Sequence, residues 1–372
     1  MEELISFASA AQGCNPKLYS TTRFGRYNFC NATKQGVRMD TSKYRLTGKH
    51  KISLKDFDPN EVSEFKGGKK KAKAELAKLV AEISTLQEKL YAEGKQKLLV
   101  IIQTTDTGGK DGTIRAVFEG VNPQGVKVSS FKAPTPIELA HDYLWRIHQV
   151  TPAKGEIMVF NRSQYEDVLV VRVHNLVPEK VWSKRYQHII EFEKLLADEG
   201  TTILKFYLHI TKEEQAVRLM ERIIDPDKNW KFNAGDLEER KLWREYQKAY
   251  EDVLNKTAAS FAPWYVIPAN RNWYRNLLVA TIIRDTLKGL NCKYPENKED
   301  LKPYYETLKA ELENAKIPLP QAPAQKKTKQ KQRVKPDALA AFAESNLPEP
   351  SVPSASAELK PTARKMAAKK SE

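Results

Sequence analysis

Residues 104–112 read TTDTGGKDG, two adjacent glycines followed by a lysine and flanked by carboxylates. Adjacent glycines let a chain turn so that several N–H groups converge, and such a turn at a helix start forms a nest for phosphate oxygens. Lys110 would add a mobile positive charge, with Thr107, Gly108, Gly109, Asp111 and Gly112 around the anion. Against the pattern G-x-x-x-x-G-K-[ST], Gly109-Lys110 is kept, whereas Thr104 replaces the first glycine and Asp111 the hydroxyl residue. The hydroxyl that ordinarily helps to hold magnesium is thus missing, and Asp106 is the nearest substitute. A carboxylate inside a phosphate loop repels its ligand unless a divalent cation lies between them. The other reading of Asp106 is an Asx-turn that bonds its own backbone.

A loop of this kind works only if rigid elements hold it. KLLVIIQ at 97–103 is a continuous apolar run of the kind buried on both faces of a sheet, and a helical stretch begins near Gly112. Further β-type runs occur at 126–131, 156–160, 202–210 and 264–269, separated by segments long enough for helices. This alternation predicts an α/β fold with a parallel sheet covered on both faces. In such sheets ligands gather at the carboxyl ends of the strands, here the loops after Gln103, Phe131, Phe160, Ile210 and Ala269. Between Lys69 and Lys95, leucines, Val80 and Ile83 recur every three or four residues, which predicts an amphipathic helix.

Composition narrows the class. The chain has 372 residues, a formal charge of +15 and 41% hydrophobic residues, enough to bury an enzyme-sized core. Cys14, Cys30 and Cys292 show no metal-ligand spacing, and an odd, sparse count argues for free thiols in a reducing compartment. A cytoplasmic location is the expectation. No apolar run approaches the ~20 residues needed to span a bilayer. Residues 1–38, free of acids after Glu3, read as an extension or leader, with an organelle transit peptide as the alternative. From Pro318 to the end, prolines and the KKTKQKQRVK cluster predict a disordered basic tail. Its lysines read as solvated charges; weak nucleic-acid contact is the other reading. The six histidines show no zinc spacing, and no G-x-S-x-G occurs.

Four segments, TDTGGKDGTI (105–114), GVNPQGVKVSSFKAPTPIELAHDYLWRIH (120–148), GEIMVFNRSQYEDVLVVRVH (155–174) and DPDKNWKFNAGDLEERKLW (225–243), are collinear with family-2 polyphosphate kinases. The chain resembles that family over about 39–317. The resemblance implies a three-layer P-loop kinase fold similar to thymidylate kinase, with a central five-stranded parallel sheet and a helical lid at about 222–243. It places Asp106 and Lys110 at the family's essential aspartate and lysine, Arg162 at its following arginine, and Arg222 at a lid-side arginine. Asn161 falls on a second metal-side position where some members carry Asp, and Lys132 falls where the family approaches phosphate. The Glu166-Asp167 pair is similar to the subgroup that phosphorylates both nucleoside mono- and diphosphates.

The implied activity is reversible transfer of phosphoryl groups from inorganic polyphosphate to AMP and ADP, assisted by Mg2+ or Mn2+ at Asp106 and Asn161, in a homo-oligomer. The acceptor oxygen is already ionised, so neutralising two polyanions is the main task. Arg172, Lys228 and Lys231 are expected to join Lys132 along a basic polyphosphate groove. The rival readings are an ATP-dependent nucleotide kinase and a non-catalytic polyanion binder.

Overall fold

The computed structural model describes residues 39–321. The leader and most of the basic tail expected from the sequence lie outside the described residues. The chain divides into two compact units, one through Lys298 and one from Glu299.

In the first unit the strands are β1 (Arg45–Leu46), β2 (Lys97–Gln103), β3 (Val126–Ser130), β4 (Ile157–Asn161), β5 (Thr201–His209) and β6 (Trp264–Pro268). The helices are α1 (Gly68–Glu93), α2 (Lys110–Phe118), α3 (Pro136–Leu139), α4 (Trp145–His148), α5 (Val170–Val173), α6 (Glu179–Asp198), α7 (Lys212–Ile224), α8 (Gly235–Lys241), α9 (Trp243–Thr257) and α10 (Asn272–Leu290). The second unit holds α11 (Lys302–Asn314). No helix among the described residues is long and apolar enough to cross a membrane.

The sheet runs β1-β6-β5-β2-β4-β3. All five expected runs form strands, and they are mutually parallel. The sheet is nevertheless mixed and six-stranded, because Arg45–Leu46 pairs antiparallel with Tyr265 and Trp264. Two residues carry no periodicity, so the expectation of a purely parallel, five-stranded sheet is corrected here.

Side-chain alternation in β2 explains the layers. Leu98, Val100 and Ile102 pack with Leu79, Ile83 and Leu90 of α1 and with Leu277 and Leu278 of α10. Leu99 and Ile101 point the other way, toward Ile189 and Phe192 of α6 and Val253 of α9. With both faces covered, a central strand must be apolar at every position, and Leu98 to Ile102 are at most 1% exposed. Burying each such side chain contributes about 1.5–3 kcal/mol. α1 ends where Gly94 adopts the left-handed conformation, φ 62°, a backbone state that suits glycine.

The strand ends create the site. β2 runs into residues 104–109 and then α2, whose first residue is Lys110. Ile102 of β2 registers with Asn161 of β4, and the Arg162 amide donates to the Ile102 carbonyl at 3.2 Å. Arg162 therefore leaves the sheet beside the loop.

Candidate active site

The loop is fixed from within and from behind. Thr104, 5% exposed, donates its hydroxyl to the Leu208 carbonyl at 2.7 Å. A Cβ at Gly108 would lie 1.9 Å from that hydroxyl oxygen, so the unusual Thr104 and the glycine at 108 form a matched pair. Gly109 sits at φ 99°, where a Cβ would also meet Arg275 Nη1 at 2.0 Å. Thr107 is left-handed as well, at φ 64°.

Two arginines that the sequence did not single out hold this turn. Arg218 of α7 donates Nη1 to the Gly108 carbonyl at 3.0 Å and to that of Thr107 at 3.3 Å. Its Nη2 donates to the carbonyls of Ala269 and Asn270 after β6. Arg275 of α10 lies beneath Gly109, and burial, then the charge of Arg218, lowers its pKa to about 9. The loop thus rests on positive charge as well as on the N-terminus of α2.

Asp106 is held at both ends. Its carboxylate accepts from Arg162 Nη2 at 2.8 Å, and its carbonyl accepts from Gln215 Nε2 at 2.9 Å. Arg162 is itself left-handed, φ 65°, at the turn after β4. Lys110 is half-buried beside them. Burial, followed by the charge of Arg162, lowers its pKa, while Asp106, Glu166 and Asp111 favour the ammonium.

The remaining expected residues divide. Asn161 donates Nδ2 to Asp111 Oδ1 at 2.8 Å, across the mouth of the loop. Glu166 accepts from Gln103 Nε2 at 3.0 Å and borders the cleft. Its neighbour Asp167 points away and meets Arg185 of α6 at 2.8 Å. Burial raises the Asp167 pKa to about 6 despite that arginine. Arg172 bonds Asp252 at 2.7 Å and the Tyr186 hydroxyl at 3.0 Å, and lies over Trp182, apart from the cleft lining. Lys132 is exposed, and its carbonyl accepts from Arg146. Gly112 lies exposed in α2.

Arg222, in the last turn of α7, reaches Asp236 Oδ2 and the Lys231 carbonyl, both at 3.1 Å. Lys231 lies over the Trp230 ring, and Lys228 pairs with Asp225. Asn233 and Gly235, Asp236 and Glu239 of α8 border a cleft of about 310 Å³ whose lining also includes Thr104 to Asp106 of the loop; Arg222, Lys228 and Lys231 are not part of that lining. The lining brings together Asp106, Arg162 and Glu166 with Asp236, Trp243 and Tyr246. Burial, then the charge of Asp106, raises the pKa of Asp236.

The sequence did carry one signal for the missed residues. Gln215 and Arg218 lie at i and i+3 along α7, in line with the already expected Arg222 at i+7, and Gln215 and Leu219 are its two buried residues. A polar stripe beside the buried face of a helix marks side chains that reach into a site.

The family model described as Polyphosphate kinase 2 (PPK2) matches residues 66–295. The chain belongs to that family. Among its relatives is an AMP/ADP-polyphosphate phosphotransferase of Meiothermus ruber, 61% identical over 254 residues, spanning 68% of this chain and 95% of the relative. An ADP-polyphosphate phosphotransferase of Rhodopseudomonas palustris is 42% identical over 272 residues, spanning 70% and 94%. The solved structure of Polyphosphate Kinase 2 from Arthrobacter aurescens TC1 superposes with a TM-score of 0.71 at 40% identity, covering 75% of this chain and 100% of that one. As a member of this family the chain is an enzyme.

Proposed function

We propose that the chain transfers phosphoryl groups from inorganic polyphosphate to AMP and ADP, reversibly, within a P-loop kinase fold whose lid is residues 222–243. The names of the two relatives support the substrates. The observation that carries the reading for this chain is the convergence of Lys110, Arg162 and Asp106 at the start of α2. The cytoplasmic setting and the homo-oligomer expected from the sequence belong to the same proposal.

Charge decides the chemistry. The phosphate chain and the nucleotide phosphate repel each other, and in-line transfer requires both within a few ångströms. Loop amides and Lys110 would grip the donor, while Arg162 reaches across the junction. Arg222, brought from the lid side, would screen the acceptor, and guanidinium forks match phosphate oxygens in pairs. No general base is required. The rings of Trp243 and Tyr246 offer the nucleoside end a flat surface.

The donor set suits a hard divalent cation such as Mg2+. Asp106 and Asp111 offer carboxylate oxygens, one oxygen of each accepting a bond, from Arg162 and Asn161 respectively. No cluster of three metal-ligating residues occurs among the described residues. Mg2+ commonly takes only one or two carboxylates, with substrate phosphates and water completing its shell. Asp106 and Asp111 would hold it, while Asn161, expected from the sequence as the second ligand, would instead orient Asp111 through its amide N–H; bound there, the cation would supply charge neutralisation at the phosphates.

Incubating the protein with AMP, polyphosphate and Mg2+ in the absence of ATP tests the reading. ADP and then ATP are expected, and Lys110→Ala should cut turnover by about two orders of magnitude with unchanged melting. Products that form only when ATP is the donor would refute it.

A further inference from the structure

We infer that Gln215 is a positioning residue that links the phosphate loop to the lid, so that a donor seated in the loop and closure over the acceptor are coupled through one side-chain amide. The inference rests on Asp106 and Lys110 forming the phosphate site.

Gln215 lies in the first turn of α7 and is 3% exposed. Its two amide atoms serve different parts of the molecule. Nε2 donates to the Asp106 carbonyl at 2.9 Å, and Oε1 accepts from Arg240 Nη1 at 2.9 Å. Only this amide orientation satisfies both neighbours, since a carbonyl cannot donate and a guanidinium cannot accept. Arg240 belongs to α8 within the lid and also donates to the Lys212 carbonyl at the start of α7.

Asp106 is gripped through its backbone by Gln215 and through its carboxylate by Arg162. A shift of the loop on binding a phosphate chain therefore moves the carbonyl that Gln215 holds. Lifting α8 would strip Arg240 from the amide and leave a buried acceptor unpaired, which makes the two ends cooperative. α7 supplies a second strut along the same line. Arg218 brackets the loop carbonyls, and one turn further Arg222 holds Lys231 and Asp236 of the lid. Through one helix, the floor of the cleft and its cover share a common support.

The test uses the full chain and two readouts. Steady-state kinetics separate kcat from KM for polyphosphate, and trypsin cleavage after Lys228 and Lys231 reports lid closure with polyphosphate alone. In the unmodified protein polyphosphate should slow this cleavage. Gln215→Met should lower kcat by about tenfold or more, leave KM for polyphosphate within about threefold and abolish the protection. Arg240→Met should reproduce this pattern, and the double variant should be no slower than the slower single one. Gln215→Glu keeps an acceptor for Arg240 but cannot donate to Asp106, so it should remain slow.

Multiplying effects of Gln215→Met and Arg240→Met, full rate in Gln215→Glu, or lid protection persisting in Gln215→Met would each overturn the link. If Gln215→Met does not fold, Arg240→Met, at a half-buried position, carries the same test. An unimpaired Lys110→Ala would instead retire the site itself, whatever the Gln215 variants show.

Discussion

The floor and the cover of the cleft are built by opposite means. The floor, residues 104–109, is held by backbone carbonyls bonded to Arg218, by the Thr104 hydroxyl on β5 and by Arg275 beneath Gly109. The cover, from Asp225 to Lys241, leaves Trp230 78% exposed and Leu237 44% exposed, and its Lys228–Asp225 and Lys241–Glu238 pairs face solvent. Buried bonds to carbonyls leave unpaired polar groups when broken, whereas exposed ion pairs are replaced by water. On the proposed reading, the loop that would grip phosphate is preformed, and closure over the acceptor would be the adjustable part.

The sharpest way to break this contrast is to alter a charge on the floor. Asp106→Asn should lower kcat by about two orders of magnitude while the melting temperature holds, because shape is kept and only the carboxylate charge is lost. Gly109→Ala probes the backbone instead. A Cβ at φ 99° against Arg275 should destabilise the protein by about 2–4 kcal/mol and reduce activity at least tenfold, read by chemical denaturation and by assay. Where α7 meets the cover, Arg222→Gln should raise KM for the nucleotide about fivefold with unchanged stability. Equal destabilisation by Gly109→Ala and Arg222→Gln would erase the distinction.

An effect on stability alone, not on catalysis, is expected at the end of β5. Burial lowers the pKa of His209 to about 4, and its Nδ1 has no partner among the described residues. The unfolded chain, with an ordinary value near 6.5, binds this proton more readily than the folded one. The stability contributed by neutral His209 is thus complete above pH 6.5 and lost as pH falls toward 4, on the order of 3 kcal/mol in full. Denaturation of His209→Gln between pH 4 and 7 should show a shallower slope; an identical slope would assign the acid sensitivity elsewhere.

The sheet and the loop were legible because local chemistry dictates them. An apolar run such as Leu98 to Ile102 has one stable use, and Gly108-Gly109-Lys110 after it has few. Side-chain direction was less legible. Glu166 and Asp167 are adjacent in one tight turn, yet the first borders the cleft and the second meets Arg185 on α6. Arg172 likewise turns to Asp252 of α9. Gln215, Arg218 and Arg275 escaped notice because a polar residue on a helix declares its role only once the packing of that helix is known. Strand β1 escaped because Arg45–Leu46 is too short to show a pattern.

That short strand has a consequence of its own. Every residue of β6 is buried, and Arg45 and Leu46 pair along its outer rim. Just before them Tyr44 is anchored, its hydroxyl 2.7 Å from that of Tyr274. A chain trimmed past residue 46 would present a bare apolar ribbon with unpaired amides, a template on which other copies could stack strand to strand. The modest segment at 44–46 is thus a selvedge for part of the sheet's edge, and its removal is expected to raise the tendency to stack.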